Sequence, residues 1–445
     1  MGAMPGTNAK TKAKTKASRR AGGGRVGDGG RVSGGGRVGG GGRVGGGGKV
    51  SGGGKVSGGG RVAGAVALAA FFALTIVLEQ AIKPTDSMAM LLTVLKKGSI
   101  YALVTVSMNL LNGFTGLFSL GQAGFMLIGA YTYAIFTIPG ADRDFVYKYY
   151  NSAIHVSFPE TLGNALGGFG TGLGILAALS VAATVAAATA FLIGLPVLRL
   201  KSDYLAIATL GFAEIIRAVF QWGKLGPVTN GANPLKNYVR LNAFQLRVGG
   251  ATLNLSTFAV ALMSAACVGI VVLLVNSSYG RAFKAIREDE VAAEAMGINL
   301  YKHKQLAFCI SSAFAGVGGA LLAMFAGTVQ ANNFKAAMTY EILLIVVLGG
   351  IGSITGSCLA SFLFIAASEW LLRGLDTGRF LWLNMPGVFR NGFRLVVFSV
   401  IIMAVVLFFR NGIMGSKELP DAMARMRAMF RPRGGKEAKA VGEDG

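Results

Sequence analysis

The chain of 445 residues carries 53% hydrophobic and only 14% charged side chains, with a formal net charge of +23. Repeated apolar stretches of about 17 to 25 residues, each able to cross roughly 30 Å of hydrocarbon as a helix, exclude a string of ordinary soluble domains. The polar sequence between them is too sparse to cover so many all-round apolar helices, so the chain reads as an all-α polytopic membrane protein.

Residues 1–61 are a Gly/Lys/Arg-rich tail. Residues 1–62 hold thirteen Lys or Arg against one acid, Asp28, so about half of the basic excess sits in a segment without an aromatic residue. From Arg25 a six-residue period sets a base and a valine ahead of each glycine block: RVGDGG, RVSGGG, RVGGGG, RVGGGG, KVSGGG, KVSGGG, RV. Glycine at this density costs too much backbone entropy to order without a core, so the tail is predicted to be disordered. Its charge suits anionic lipid and the orientation of the first span, and no specific nucleic acid is expected.

Spans are predicted at about 62–82, 88–111, 117–138, 172–195, 204–222, 257–276, 305–325, 340–352, 356–372 and 393–410. That makes about ten, with eight to ten compatible with the pattern. Lys96 and Lys97 interrupt the second, so its continuous part beginning at Ser99 reads as short and tilted or discontinuous. Gly121, Gly124 and Gly129 in the third allow close helix contact. The eighth ends in Gly349, Gly350, Gly352 and Gly356 and fits a broken or re-entrant helix. Loops are expected at 139–170 and 223–256, and a short turn with Pro196, Arg199 and Lys201 between the fourth and fifth spans. Ten spans and the Lys/Arg bias put both termini and the 279–304 loop in the cytoplasm. A transmembrane domain thus covers 62–415, followed by a basic cytoplasmic tail at 416–445.

Cys267, Cys309 and Cys358 lie within apolar segments and His155 and His303 stand far apart, so no metal site, disulfide framework or cofactor is expected. Residues 281–297, RAFKAIREDEVAAEAMG, favour helix. Phe283, Ile286, Ala293 and Met296 recur on one side, and Gly297 is placed to end the helix as a C-cap. Such a helix lies on the bilayer surface, merely connects two spans, or docks into a groove on a soluble partner.

Four stretches carry a resemblance in the same order. These are NLLNGFTGLFSLGQAGFMLIGAYTYA at 109–134, SDYLAIATLGFAEIIRAVF at 202–220, YGRAFKAIREDEVAAEAMGIN at 279–299 and YEILLIVVLGGIGSITGSCL at 340–359. Together they resemble the inner-membrane permeases of branched-chain amino acid ATP-binding-cassette importers, over roughly residues 88–415. The glycine-rich tail has no counterpart in that pattern.

The resemblance implies a bacterial inner-membrane subunit working beside a second related permease. It also implies cytoplasmic ATP-binding subunits, an extracytoplasmic solute-binding protein and a small amino-acid substrate. The chain has no GxxxxGK[ST] loop, so ATP hydrolysis is assigned to partners and the chain itself is not expected to be an enzyme. Docking to the ATPases falls to the 279–304 loop, with Arg281, Arg287, Glu288, Asp289, Glu294 and Gly297 as contact candidates. Polar groups within apolar spans are candidates for the path: Asn109, Asn112, Ser119, Gln122, Thr209 and Glu214. Interhelical hydrogen bonding is the competing reading for each, and for Glu214 an i to i+3 pair with Arg217. Permeation of urea or short amides is the alternative within the family, and an ion-coupled secondary carrier the alternative outside it.

Overall fold

The computed structural model describes residues 58–81, 89–200, 202–248 and 251–371, with short pieces at 379–380, 383–384, 399–400, 403, 412–413 and 415. Residues 1–57 of the glycine-rich tail, most of the tenth predicted span and the C-terminal tail lie outside the described residues, whereas Gly58–Arg61, expected in the disordered tail, form the first turn of a helix.

Helix α1 (Gly58–Ala81) is followed by α2 (Ala89–Asn109), which runs on through a π-helical turn at Leu110–Phe114. Lys96 and Lys97 do not break α2. Each reaches an acid on another segment, Lys96 to Glu79 at 3.6 Å and Lys97 to Glu369 at 2.5 Å, so neither charge is left alone in the apolar layer. Helix α3 (Gln122–Thr137) starts five residues later than predicted. The preceding stretch is held out of helix by Gly116 at φ +73° and by the Asn112 side chain, whose Oδ1 accepts from Ser119 N at 3.1 Å.

After α3 the chain bends by 105° into α4 (Arg143–Val146), and α5 (Phe158–Leu166) follows. The expected 139–170 loop is therefore structured. Arg143 is buried and donates to the carbonyls of Ile154, Val156 and Ile138, knotting the segment onto itself. Helices α6 (Gly168–Val197) and α7 (Ser202–Gln221) come next, with Pro196 inside the last turn of α6 rather than in the turn after it. The short α8 (Gly226–Thr229) and an antiparallel hairpin, β1 (Gln245–Val248) with β2 (Ala251–Asn254), lead to α9 (Ser256–Asn276).

Helices α10 (Ser278–Glu288) and α11 (Glu290–Ala295) form the central loop, and α12 (Leu300–Ala326), α13 (Ala336–Gly349) and α14 (Ile354–Ile365) complete the described core. A second π-helical turn, Ala366–Leu371, extends α14.

Nine of these helices answer in order to the nine spans predicted before residue 373. The protein is a multi-pass, all-α membrane protein, and five described helices are long and apolar enough to cross a bilayer unaided. Buried α3 packs against α6, α7 and α12, while α2 packs against α9, α12 and α14. The crossings are made by small residues, as in a medium where Leu–Leu contact gives no advantage over lipid. A Cβ on Gly129 would stand 2.0 Å from the Gly316 carbonyl oxygen, and one on Gly319 2.0 Å from that of Met126. Gly124 faces Ala213 of α7 instead, so the glycines of α3 serve two neighbours. Leu176, Leu192, Ile207 and Leu273 are exposed on α6, α7 and α9, as lipid-facing or subunit-facing surfaces are.

Candidate coupling and translocation site

The central loop is two helices. Asp289 sits in an extended conformation and its Oδ1 accepts from Val291 N at 2.9 Å and Ala292 N at 3.1 Å. That side chain caps α11 and thereby ends α10, so the single helix expected over 281–297 is broken at its most cap-prone residue. Gly297, at φ +85°, closes α11 as anticipated. Ile298 N donates to Ala293 O at 3.1 Å and Gly297 N to Glu294 O at 2.9 Å, the paired bonds of a Schellman ending. Asn299 then caps α12 by accepting from Lys302 N at 3.0 Å.

Phe283 and Ile286 are 0% and 1% exposed, and Ala293 is buried. Met296, expected on the same side, is 84% exposed, and Val291 is 78% exposed. The break at Asp289 rotates α11 out of register with α10, which turns these two apolar side chains outward. Arg281, Glu288, Asp289, Glu294 and Gly297 are also exposed. Lys304 pairs with Glu290 at 2.6 Å and steadies α11 against α12.

Arg287 is exposed as well, but one arm of its guanidinium reaches inward. Its Nη1 donates to the Gly113 carbonyl at 2.8 Å, while Nη2 reaches Glu288 Oε1 at 3.1 Å. The guanidinium lies between two glycines, since a Cβ on Gly352 would stand 2.9 Å from Nη1. One helical turn deeper, Asn109 is fully buried. Its Nδ2 donates to Ser353 O at 2.9 Å and Ser357 Oγ at 2.8 Å, and its Oδ1 accepts from Gly352 N at 2.8 Å. The end of α2, the turn between α13 and α14, and α10 therefore meet in one polar node. Lys284 adds to it, with its ammonium 5.7 Å from the centre of the Phe114 ring.

The other path candidates are also held by hydrogen bonds. Gln122 Nε2 donates to Ser107 Oγ at 2.6 Å, and Ser311 Oγ donates to Ser107 O at 2.6 Å, which joins α3, α2 and α12. Asn112 and Ser119 bond to each other, and Thr209 Oγ1 accepts from Leu120 N at 2.9 Å. Glu214 pairs with Arg217 at 2.7 Å and accepts from Ala336 N, the first residue of α13, at 3.3 Å. Asn112, Ser119 and Thr209 thus gather around the 113–121 stretch, whereas Asn109, Gln122 and Glu214 each serve a separate contact. Gly113, Gly352, Ser353 and Ser357 escape single-sequence reasoning as parts of the node. Their only signal is the density of small residues at the ends of two adjacent spans.

The profile of the family described as branched-chain amino acid transport system / permease component matches residues 90–409. The chain belongs to that family. The high-affinity branched-chain amino acid transport system permease protein LivM of Escherichia coli (strain K12) is 34% identical over 306 residues, 64% of each chain. BraD of Pseudomonas aeruginosa is 32% identical over 152 residues, 34% of this chain and 44% of its own. LivH of Escherichia coli (strain K12) is 30% identical over 155 residues, 35% of this chain and 45% of its own. The chain thus spans 64% of the length of the LivM relative. No solved structure matches it.

Proposed function

We propose that the chain is a transmembrane permease subunit of an ATP-driven importer for branched-chain amino acids, set in a bacterial inner membrane. The observation that carries this reading is the family match over 90–409, which includes the α10–α11 element. Both LivM- and LivH-type relatives share sequence with the chain, which supports pairing with a second, related permease. Cytoplasmic ATPases and an extracytoplasmic binding protein complete the proposed assembly.

The termini and α10–α11 are assigned to the cytoplasm, in keeping with the Lys/Arg distribution. The exposed face formed by Arg281, Glu288, Asp289, Val291, Glu294, Met296 and Gly297 is the proposed ATPase contact. Arg287 carries movement of that face into the membrane, because it joins α10 to the end of α2. Motion of the node would then be felt at once by α2, α13 and α14, the rigid-body shift that alternating access requires. Asn109 belongs to this transmission. Asn112, Ser119, Gln122, Thr209 and Glu214 are proposed to shape the path by fixing the helices around it.

The test is ATP-dependent leucine uptake into proteoliposomes holding the assembled complex and its binding protein. Uptake that needs ATP and this chain supports the reading, and an assembled complex that hydrolyses ATP without importing leucine overturns it.

A further inference from the structure

At the opposite end of α2 from Arg287, the protein forms a half-open cavity of about 540 Å³ between α1, α2, α9, α12 and the hairpin. That size lies within the range of small-molecule sites. Its lining mixes two chemistries: Leu92, Met324 and Phe325 are apolar, and Lys96, Arg240 and Glu79 bring charge.

The charged groups differ in how far they are committed. Glu79 is buried at the start of α9, where it accepts from Ser256 Oγ at 2.5 Å and from Thr257 N at 3.1 and 2.9 Å. Lys96 approaches the same carboxylate only at 3.6 Å, beyond hydrogen-bond length. The Arg240 side chain rests on Gly327, where a Cβ would meet its Nε at 2.9 Å. Among the described residues its guanidinium has neither an ion-pair nor a hydrogen-bond partner. The cavity therefore offers a solvent-exposed planar donor fork without a protein partner among the described residues, a half-committed ammonium, a carboxylate and an apolar wall.

We infer that this cavity binds a free aliphatic amino acid, with its carboxylate on Arg240 and Lys96 and its side chain against Leu92, Met324 and Phe325. Arg240 supplies the bidentate geometry that a carboxylate matches, and Lys96 a second positive charge. The second oxygen of Glu79, which accepts only from Thr257 N among the described residues, takes the ammonium. An inorganic anion would leave the apolar wall unused, and a neutral amide would leave Arg240 unmatched. The choice of amino acid rests on the proposed function. In that orientation the cavity faces the outer side, as a way-station between binding protein and membrane path.

The test uses the full assembled complex in proteoliposomes and photo-leucine, a diazirine analogue of leucine, as the probe. Labelled peptides are mapped by mass spectrometry. Labelling is expected on 89–96 and 324–327, to fall about tenfold in Arg240→Gln and to be largely retained in Arg240→Lys. On the unmodified protein, which needs no substitution to fold, leucine should compete about tenfold better than isoamylamine, which lacks the carboxylate. Labelling elsewhere, labelling indifferent to Arg240→Gln, or equal competition by isoamylamine overturns the site. Leucine uptake measured in the same vesicles separates the two claims. Uptake without labelling here removes the site and leaves the importer reading standing, while Arg240-dependent labelling without uptake does the reverse.

Discussion

Arg287 and Gly113 are 174 residues apart in sequence and joined by a 2.8 Å hydrogen bond. The donor belongs to an exposed two-helix loop and the acceptor to the π-helical end of a buried span. No other hydrogen bond or ion pair among the described residues ties α10 to the π-helical end of α2. A guanidinium held between Gly113 and Gly352 makes the loop a handle on three helices.

Arg287→Ala removes that handle while leaving the apolar side of α10, Phe283 and Ile286, seated. Leucine imported per ATP hydrolysed should fall about tenfold or more in proteoliposomes, with insertion and complex assembly retained, since a charge-assisted bond of this kind is worth about 1.5–3 kcal/mol. An unchanged ratio removes Arg287 from the coupling route.

Asn109→Leu keeps the bulk of the side chain and deletes three hydrogen bonds. It also leaves the Gly352 N–H unpaired beside a buried turn. A loss of about 2 kcal/mol follows, at the upper end for intramembrane bonds because one partner is orphaned. Thermal unfolding of the detergent-solubilised protein, followed by size exclusion, reads this as a lowered midpoint.

Gly129→Ala forces a methyl to within 2.0 Å of a backbone carbonyl on α12, where neither partner is a flexible side-chain end. The α3–α12 crossing must open, and little monodisperse protein should be recovered. Gly211→Ala in α7 is the matched control. Nothing lies within 4 Å of its added methyl, so the helix should gain about 0.5–1 kcal/mol.

Val291→Asp with Met296→Asp places charge where apolar side chains are 78% and 84% exposed. The isolated subunit should unfold at an unchanged temperature, because neither residue packs in its core. Co-purification of the ATPase subunits should drop sharply, and undiminished co-purification would move the docking face elsewhere.

Apolar length alone marks α2, α9 and α12 to within a few residues, because a membrane span is a one-dimensional requirement on the sequence. Breaks and partners are less legible. Asp289 stops a helix that propensity favours because its carboxylate captures two N–H groups, a competition that composition scores only weakly. Lys96 and Lys97 read as an interruption of α2 because Glu79 and Glu369, which neutralise them, lie on other segments. Asn109 is conspicuous as a polar group in an apolar run, but the Gly352 amide that it clamps is 243 residues away. Sequence separation of that order is supplied only by the fold.

Helix α13 has 14 residues and rises only about 21 Å, some two-thirds of the hydrocarbon thickness. The chain before it turns irregular, with Ala331 N donating to Tyr131 Oη at 2.9 Å and Val329 bridging Leu235. A bilayer forbids open backbone, so these contacts act as solvent for that stretch. A helix of that length completes its crossing only through the irregular stretch ahead of it, so a substitution at Tyr131 that removes the Ala331 bond would damage this span from a different helix.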